Sequence, residues 1–163
     1  MPILPRPDFA LSSVLEITPA WLAARGLRAV FADLDNTLAG YGDAEPCAAI
    51  ADWIASLADA GISLAVISNG RPARVRRFCG GMGGVKYVFR AGKPRPGALT
   101  DLAGTLGLDA AQILMVGDQI RTDISSGARA GMRTALVYPY TPKFFYRLRR
   151  RIECALAGLA INN

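Results

Sequence analysis

The sequence predicts an α/β fold of three layers, built on a five-stranded, mostly parallel sheet and formed as a single domain over residues 1–163. Three observations predict it. Short, uninterrupted apolar runs alternate with helix-period segments, as expected of strands buried on both faces and joined by crossover helices. Hydrophobic residues make up 52% of the 163 residues, enough for one sizeable core. No repeat and no interdomain linker divides the chain.

Residues 1–26 read as an N-terminal arm and helix. The arm, 1–17, starts Pro-rich; Thr18-Pro19 then reads as an N-cap with proline at the first helical position, and the helix stops near Gly26. LRAVFADL (27–34) is the first strand, apolar until its acidic end. Residues 46–60 read as a helix, with Ile50, Trp53, Ile54 and Leu57 on one face and Gly61 as its stop. ISLAVIS (62–68) is the second strand, followed by a short basic helix at 72–79 and a Gly-Gly-Met-Gly-Gly loop. VKYVF (85–89) is the third strand, 96–106 a helix, ILMVG (113–117) the fourth strand, 122–130 a helix and RTALVY (133–138) the fifth strand. Residues 142–163 read as a final basic amphipathic helix.

Composition narrows the chemistry. The formal net charge of +6 and a pI near 9.7 favour anionic partners: phosphate esters, nucleic acid or an acidic membrane surface. The chain has no histidine, which rules out a Ser-His-Asp triad, a histidine-liganded zinc and an imidazole base. Acid–base work falls to carboxylates, lysine or tyrosine, and oxygen donors suit a hard cation. Cys47, Cys79 and Cys154 are odd in number and lack metal-ligand spacing, so free thiols in a reducing compartment are expected. MPILPRPDFA carries no basic region followed by a long apolar stretch, and no apolar run is long enough to span a bilayer. The expected location is cytoplasmic, with the cytoplasmic membrane face as an alternative.

In open parallel sheets, ligands sit beyond the carboxyl ends of the strands. The first predicted strand ends in Asp33 and Asp35, the second in Ser68-Asn69-Gly70; Lys93 follows the third, and the fourth ends in Gly117-Asp118 with Asp123 five residues on. Carboxylates from two strands can hold magnesium, and a lysine with a hydroxyl can hold phosphoryl oxygens. One aspartate can attack phosphorus while a second, two residues on, protonates the leaving oxygen and then activates water. Taken singly, each group has an ordinary reading: Asp33, Asp118 and Asp123 as helix caps, Ser68-Asn69-Gly70 as a turn, Lys93 as a solvated charge. Their order along four successive strands is what separates the set from coincidence.

That set resembles the haloacid dehalogenase superfamily of phosphohydrolases, whose Rossmann-like fold the predicted layers match. The first motif, Asp-x-Asp-x-Thr, is met by Asp33, Asp35 and Thr37, the second by Ser68, the third by Lys93 in GKPRP and the fourth by Asp118 and Asp123. The resemblance implies that Asp33 is nucleophile and magnesium ligand. It makes Asp35 the general acid/base, with its backbone carbonyl on the metal, and Asp118 a direct metal ligand. Ser68, Asn69 and Lys93 would bind the transferring phosphoryl group, Asp123 would support metal waters or Lys93, and Thr37 would hold the loop in shape. The gaps 35–68 and 68–93 are too short for the cap domain many relatives carry, so a capless, open site is expected.

EITPAWLAARGLRAVFADLDNTL, VGDQIRTDISSGARAGMRTALV and RLRRRIE resemble the YqeG-type branch of capless members, which is similar to phosphatidylglycerophosphate phosphatases. The resemblance implies a phosphorylated substrate, with an anionic phospholipid head group as the leading candidate. Phe145, Leu148, Ile152, Leu156 and Leu159 form an apolar stripe, with Lys143, Arg147, Arg149, Arg150 and Arg151 crowding the same helix. Such a helix lies on an anionic membrane, or its stripe packs on the sheet and its arginines are solvated. Arg71, Arg74, Arg76 and Arg77 likewise hold an anionic head group or form a solvated face.

Other classes fit less well. A phosphorelay receiver uses similar groups but places its acceptor aspartate after the third strand, not the first. Soluble esters, phosphoproteins and nucleic-acid ends remain as substrates, although no nucleic-acid module or stacking platform of aromatics is present. Intact motifs argue against a binding protein on a dead enzyme. The oligomeric state is left open.

Overall fold

The computed structural model describes residues 3–140 and 144–160; Pro142 and Lys143, assigned above to the final helix, and 161–163 at its end lie outside them. The apolar runs form the strands β2 (Ala29–Ala32), β3 (Ser63–Ile67), β4 (Lys86–Val88), β5 (Ile113–Gly117) and β6 (Arg133–Val137). A further strand, β1 (Phe9–Leu11), joins them, so the sheet has six strands, not five, in the order β1-β6-β5-β2-β3-β4. All neighbouring pairs are parallel.

β1 lies within the segment read as an arm. At three residues it is too short to carry a period-two signal. Tertiary partners define it instead: Asp8 Oδ2 accepts from the Thr134 amide at 2.8 Å and hydroxyl at 3.0 Å, which sets β1 beside β6.

Every residue of β2 and β5 is buried, so both read as unbroken apolar runs. Successive side chains still take opposite faces. Val30 and Ala32 pack with Leu22, Trp53, Leu57 and Phe78; Ala29 and Phe31 pack with Leu99, Ala103 and Met132. Thus α1 (Pro19–Ala23), α2 (Ala48–Asp59) and α3 (Pro72–Cys79) cover one face, and α4 (Gly97–Leu106) the other. The Thr18 hydroxyl accepts from the Trp21 amide at 3.1 Å, the expected N-cap of α1.

The segment after β5 departs from expectation. In place of one helix over 122–130, a π-helical turn spans Ile120–Ile124 before α5 (Ser125–Arg129). The amides of Asp123 and Ile124 both donate to Gln119 O, at 3.0 and 3.2 Å, and the Ser125 hydroxyl donates to Ile120 O at 2.8 Å. The widened turn carries Asp123.

The last helix, α6 (Phe144–Leu156), packs beside that turn: Cys154 and Ala157 lie against Ile120, Ile124 and Leu136. Phe145, Leu148, Ile152 and Leu156 remain exposed, so this part of the stripe does not pack on the sheet; Leu159 alone packs against the core. Among the described residues, no helix is long and apolar enough to cross a membrane.

Candidate active site

The centre of the sheet positions the carboxylates. Asp33 follows β2 directly, and its amide extends the ladder by donating to Val116 O of β5 at 2.9 Å. The chain then turns sharply. Asn36 takes a positive φ of 66°, its amide donates to Ala39 O at 2.7 Å, and Leu38 N donates to Leu34 O at 3.0 Å. Left-handed backbone is tolerated by asparagine better than by most residues. Thr37 is buried in this turn, with its hydroxyl unpartnered among the described residues.

Across β3, Ser68 is buried and its hydroxyl accepts from the Gly70 amide at 2.9 Å. Asn69 and Lys93 clasp each other: Asn69 Nδ2 donates to Lys93 O at 3.0 Å, and Lys93 N donates to Asn69 Oδ1 at 2.9 Å. This aims the Lys93 ammonium inward, onto Asp33 Oδ1 at 2.7 Å, Asp123 Oδ1 at 2.7 Å and Ile67 O at 2.6 Å. All three of its donors are thereby used.

Asp118 follows Gly117 at the end of β5. A Cβ on Gly117 would lie 2.3 Å from Asp123 side-chain atoms, so glycine is what lets the π-helical turn fold back against the strand. Carboxylate oxygens of Asp33, Asp118 and Asp123 lie within 4.8 Å of one another, all three residues being buried. Asp118 Oδ1 has no hydrogen-bond partner among the described residues, which is costly for a buried carboxylate. An all-oxygen cluster with an unspent buried oxygen fits a hard divalent cation.

Burial pushes the Asp33 carboxyl up to about 7; nearby Lys93 opposes the rise and Asp123 adds to it. Burial, then the charges of Asp123 and Asp33, push Asp118 up to about 8 against the pull of Arg149. Burial also disfavours charge on Lys93, but Asp123 and Asp33 outweigh it and raise its pKa. The ammonium is thus the fixed charge of the cluster.

Asp35 stands apart from the triad. Its Oδ1 accepts from Arg74 Nη2 at 2.9 Å and Nε at 3.2 Å, and the same guanidinium donates to Gly40 O at 3.0 Å and Asp43 O at 2.6 Å. Of the four arginines at α3, Arg74 alone turns inward; Arg71, Arg76 and Arg77 are exposed. From α6, Arg149 reaches Asp118 Oδ2 at 3.4 Å, and Glu153 accepts from the Ile120 amide at 2.7 Å. Tyr146 of α6 stacks on Tyr41, with ring centroids 5.9 Å apart. Sequence reasoning gave Arg74 and Arg149 no specific partner and passed over Glu153, Tyr41 and Tyr146. The helical period of α3 was the available signal, since it sets Arg74 one turn from Phe78, over whose ring it lies, and on the side away from Arg76.

A family model described as haloacid dehalogenase-like hydrolase matches residues 9–131. "Probable phosphatase YqeG" of Bacillus subtilis is 29% identical over 149 residues, covering 90% of this chain and 86% of the relative. "Phosphatidylglycerophosphate phosphatase 1, chloroplastic" of Chlamydomonas reinhardtii is 38% identical over 73 residues, covering 43% of this chain and 27% of the relative. Among solved structures, the cobalt-bound deoxy-D-mannose-octulosonate 8-phosphate phosphatase of Haemophilus influenzae superposes with a TM-score of 0.55 at 18% identity, over 82% of this chain and 91% of that one. At that identity the likeness concerns the fold.

Proposed function

Because the chain belongs to the haloacid dehalogenase-like hydrolase family and is a phosphatase, we propose that it is a magnesium-dependent phosphomonoester hydrolase working through an aspartyl-phosphate on Asp33. The observation that carries the reading is the buried Asp33 carboxylate, held 2.7 Å from the Lys93 ammonium beside an Asp118 oxygen that has no partner among the described residues.

Asp33, Asp118 and the backbone carbonyl of Asp35 would hold the cation, with Asp123 behind them. When bound, magnesium supplies positive charge that offsets the carboxylates and the phosphoryl oxygens. Asp33 attacks phosphorus, forming an O–P bond as the bond to the leaving oxygen breaks. Asp35 gives its proton to that oxygen. Both Arg74 contacts fall on Oδ1, which leaves Oδ2 for the proton. Asp35 next takes a proton from water, whose oxygen attacks phosphorus and returns Asp33 as a carboxylate with release of inorganic phosphate. Lys93 meets the phosphoryl group by exchanging its contact with Asp33, while Asp123 and Ile67 O keep the ammonium in place. Ser68 and Asn69 flank that position, and Thr37 sits in the turn behind it.

The substrate class proposed is the terminal phosphate of an anionic phospholipid head group. The partial match to a phosphatidylglycerophosphate phosphatase supports it, as does the short chain between the motifs, where 35–68 holds one helix and one strand and 68–93 one short helix and one short strand. Soluble phosphate esters are the second reading, favoured by a partial match to a 5'-nucleotidase of Bacillus subtilis, 46% identical over 55 residues and covering 34% of this chain. Phosphate release, with and without magnesium, from phosphatidylglycerophosphate in vesicles, soluble esters and phosphorylated DNA ends decides between them. The lipid substrate is expected to be preferred; preference for soluble esters overturns the lipid assignment and leaves the phosphatase.

A further inference from the structure

α6 presents two different faces. Tyr146, Arg149, Glu153 and Cys154, with Ala157 just past its end, face the fold and reach the site or the turn beside it. Phe145 (74% exposed), Leu148 (46%), Ile152 (54%) and Leu156 (37%) make a solvent-facing apolar stripe at helical spacing. Ile3, 78% exposed, adjoins its end, because the Ile3 and Leu4 amides donate to Leu156 O at 2.9 and 3.2 Å. Exposed Arg151 and Arg147 lie to one side of the stripe on the same helix, in a chain of net charge +6. Contiguous exposed apolar surface is uncommon on soluble proteins unless something covers it.

Charge chooses the occupant. A stripe beside arginines complements a surface that is apolar within and anionic at its face, which describes an acidic bilayer. We propose that α6 docks flat on an anionic phospholipid surface through Phe145, Leu148, Ile152 and Leu156, and so holds the carboxylate site at that surface. The ties from Arg149 to Asp118 and from Glu153 to the Ile120 amide make the docking helix one wall of the catalytic centre. The stacked Tyr41 and Tyr146 rings, at the start of the same helix, then lie at headgroup level, where tyrosine is favoured. The proposal deepens the lipid reading and takes its partner from it.

The test uses vesicles of phosphatidylglycerol and phosphatidylcholine, which carry no phosphomonoester, so that docking and substrate choice are read separately. Full-length protein is sedimented with them at physiological salt, as wild type and as Leu148→Asp with Ile152→Asp. Wild type is expected to bind, less strongly as salt rises, and the variant to bind at least about tenfold more weakly. Unchanged melting temperature and circular dichroism identify the loss as one of surface contact, and a second variant, Arg147→Glu with Arg151→Glu, keeps the test open if the first fails to fold. Absence of wild-type binding, or equal binding by folded variants, overturns the proposal. So does concentration-dependent self-association without vesicles that the variant abolishes, since a second copy of the chain would then cover the stripe. Failure to hydrolyse phosphatidylglycerophosphate with vesicle binding intact overturns the substrate reading instead.

Discussion

At the residue scale, the centre is a balance of buried charge around Lys93. Its ammonium lies between Asp33 and Asp123, each at 2.7 Å, with a side chain 1% exposed. Replacing Lys93 by methionine leaves two buried carboxylates without their counter-ion; the expected loss is about 3–5 kcal/mol in urea unfolding, together with loss of phosphate release. The raised carboxyl groups make a second prediction. With Asp33 near 7 and Asp118 near 8, against about 4 in the unfolded chain, the metal-free fold loses their contribution as pH rises from about 4 through 7–8. A cation needs both groups ionised, so its binding releases protons and tightens over the same range. The gain in melting temperature on adding magnesium is therefore expected to be larger at pH 9 than at pH 6; an equal or larger gain at pH 6 contradicts this. Asp33, Asp35, Ser68 and Asp118 were legible in the sequence because they stand one to three residues past a strand end, whereas Lys93 and Asp123, farther from β4 and β5, were legible through their order along the chain. The Arg74–Asp35 and Arg149–Asp118 pairs were not, because they join positions 39 and 31 residues apart through packing no local pattern encodes.

At the element scale, strands buried on both faces announced themselves as unbroken apolar runs, and proline and glycine punctuated the helices; α3 spans Pro72–Cys79 as expected. What escaped were elements defined by their partners. β1 exists through Asp8 and β6, and the π-helical turn exists because Gly117 leaves room for Asp123. Gly117→Ala brings a methyl group to 2.3 Å from that side chain and must push it away. The expected cost is about 1–3 kcal/mol in stability, with a much larger fractional loss of magnesium-dependent activity, because Asp123 braces Lys93. Activity and stability falling only in proportion would show that the turn is not needed to place Asp123. The α6 stripe shows the converse limit. Its period was plain, but a period says that one face is apolar and not what covers it.

At the scale of the whole molecule, the strand order places the site. The chain runs from β2 outward through β3 to β4, then returns to the other side of β2 for β5 and continues to β6. The crevice at that reversal is where open parallel sheets bind ligands. The groups after β2, β3 and β5 meet there, and Lys93 is brought in by its clasp with Asn69 rather than by an adjoining strand. The alternation of elements therefore carried the architecture, while the depth and charge of the site came from tertiary packing. Asp33→Asn is expected to lower magnesium-dependent phosphate release by at least about a thousandfold with the fold retained, as measured by circular dichroism, since an amide cannot replace a nucleophilic carboxylate. The covalent step itself can be trapped: turnover is quenched in acid, the protein is reduced with borohydride, which converts an aspartyl-phosphate to homoserine, and the peptides are mapped by mass spectrometry. Conversion at Asp33, dependent on both substrate and magnesium, is the predicted result; conversion at another aspartate, or none at Asp33 during active turnover, would contradict the account.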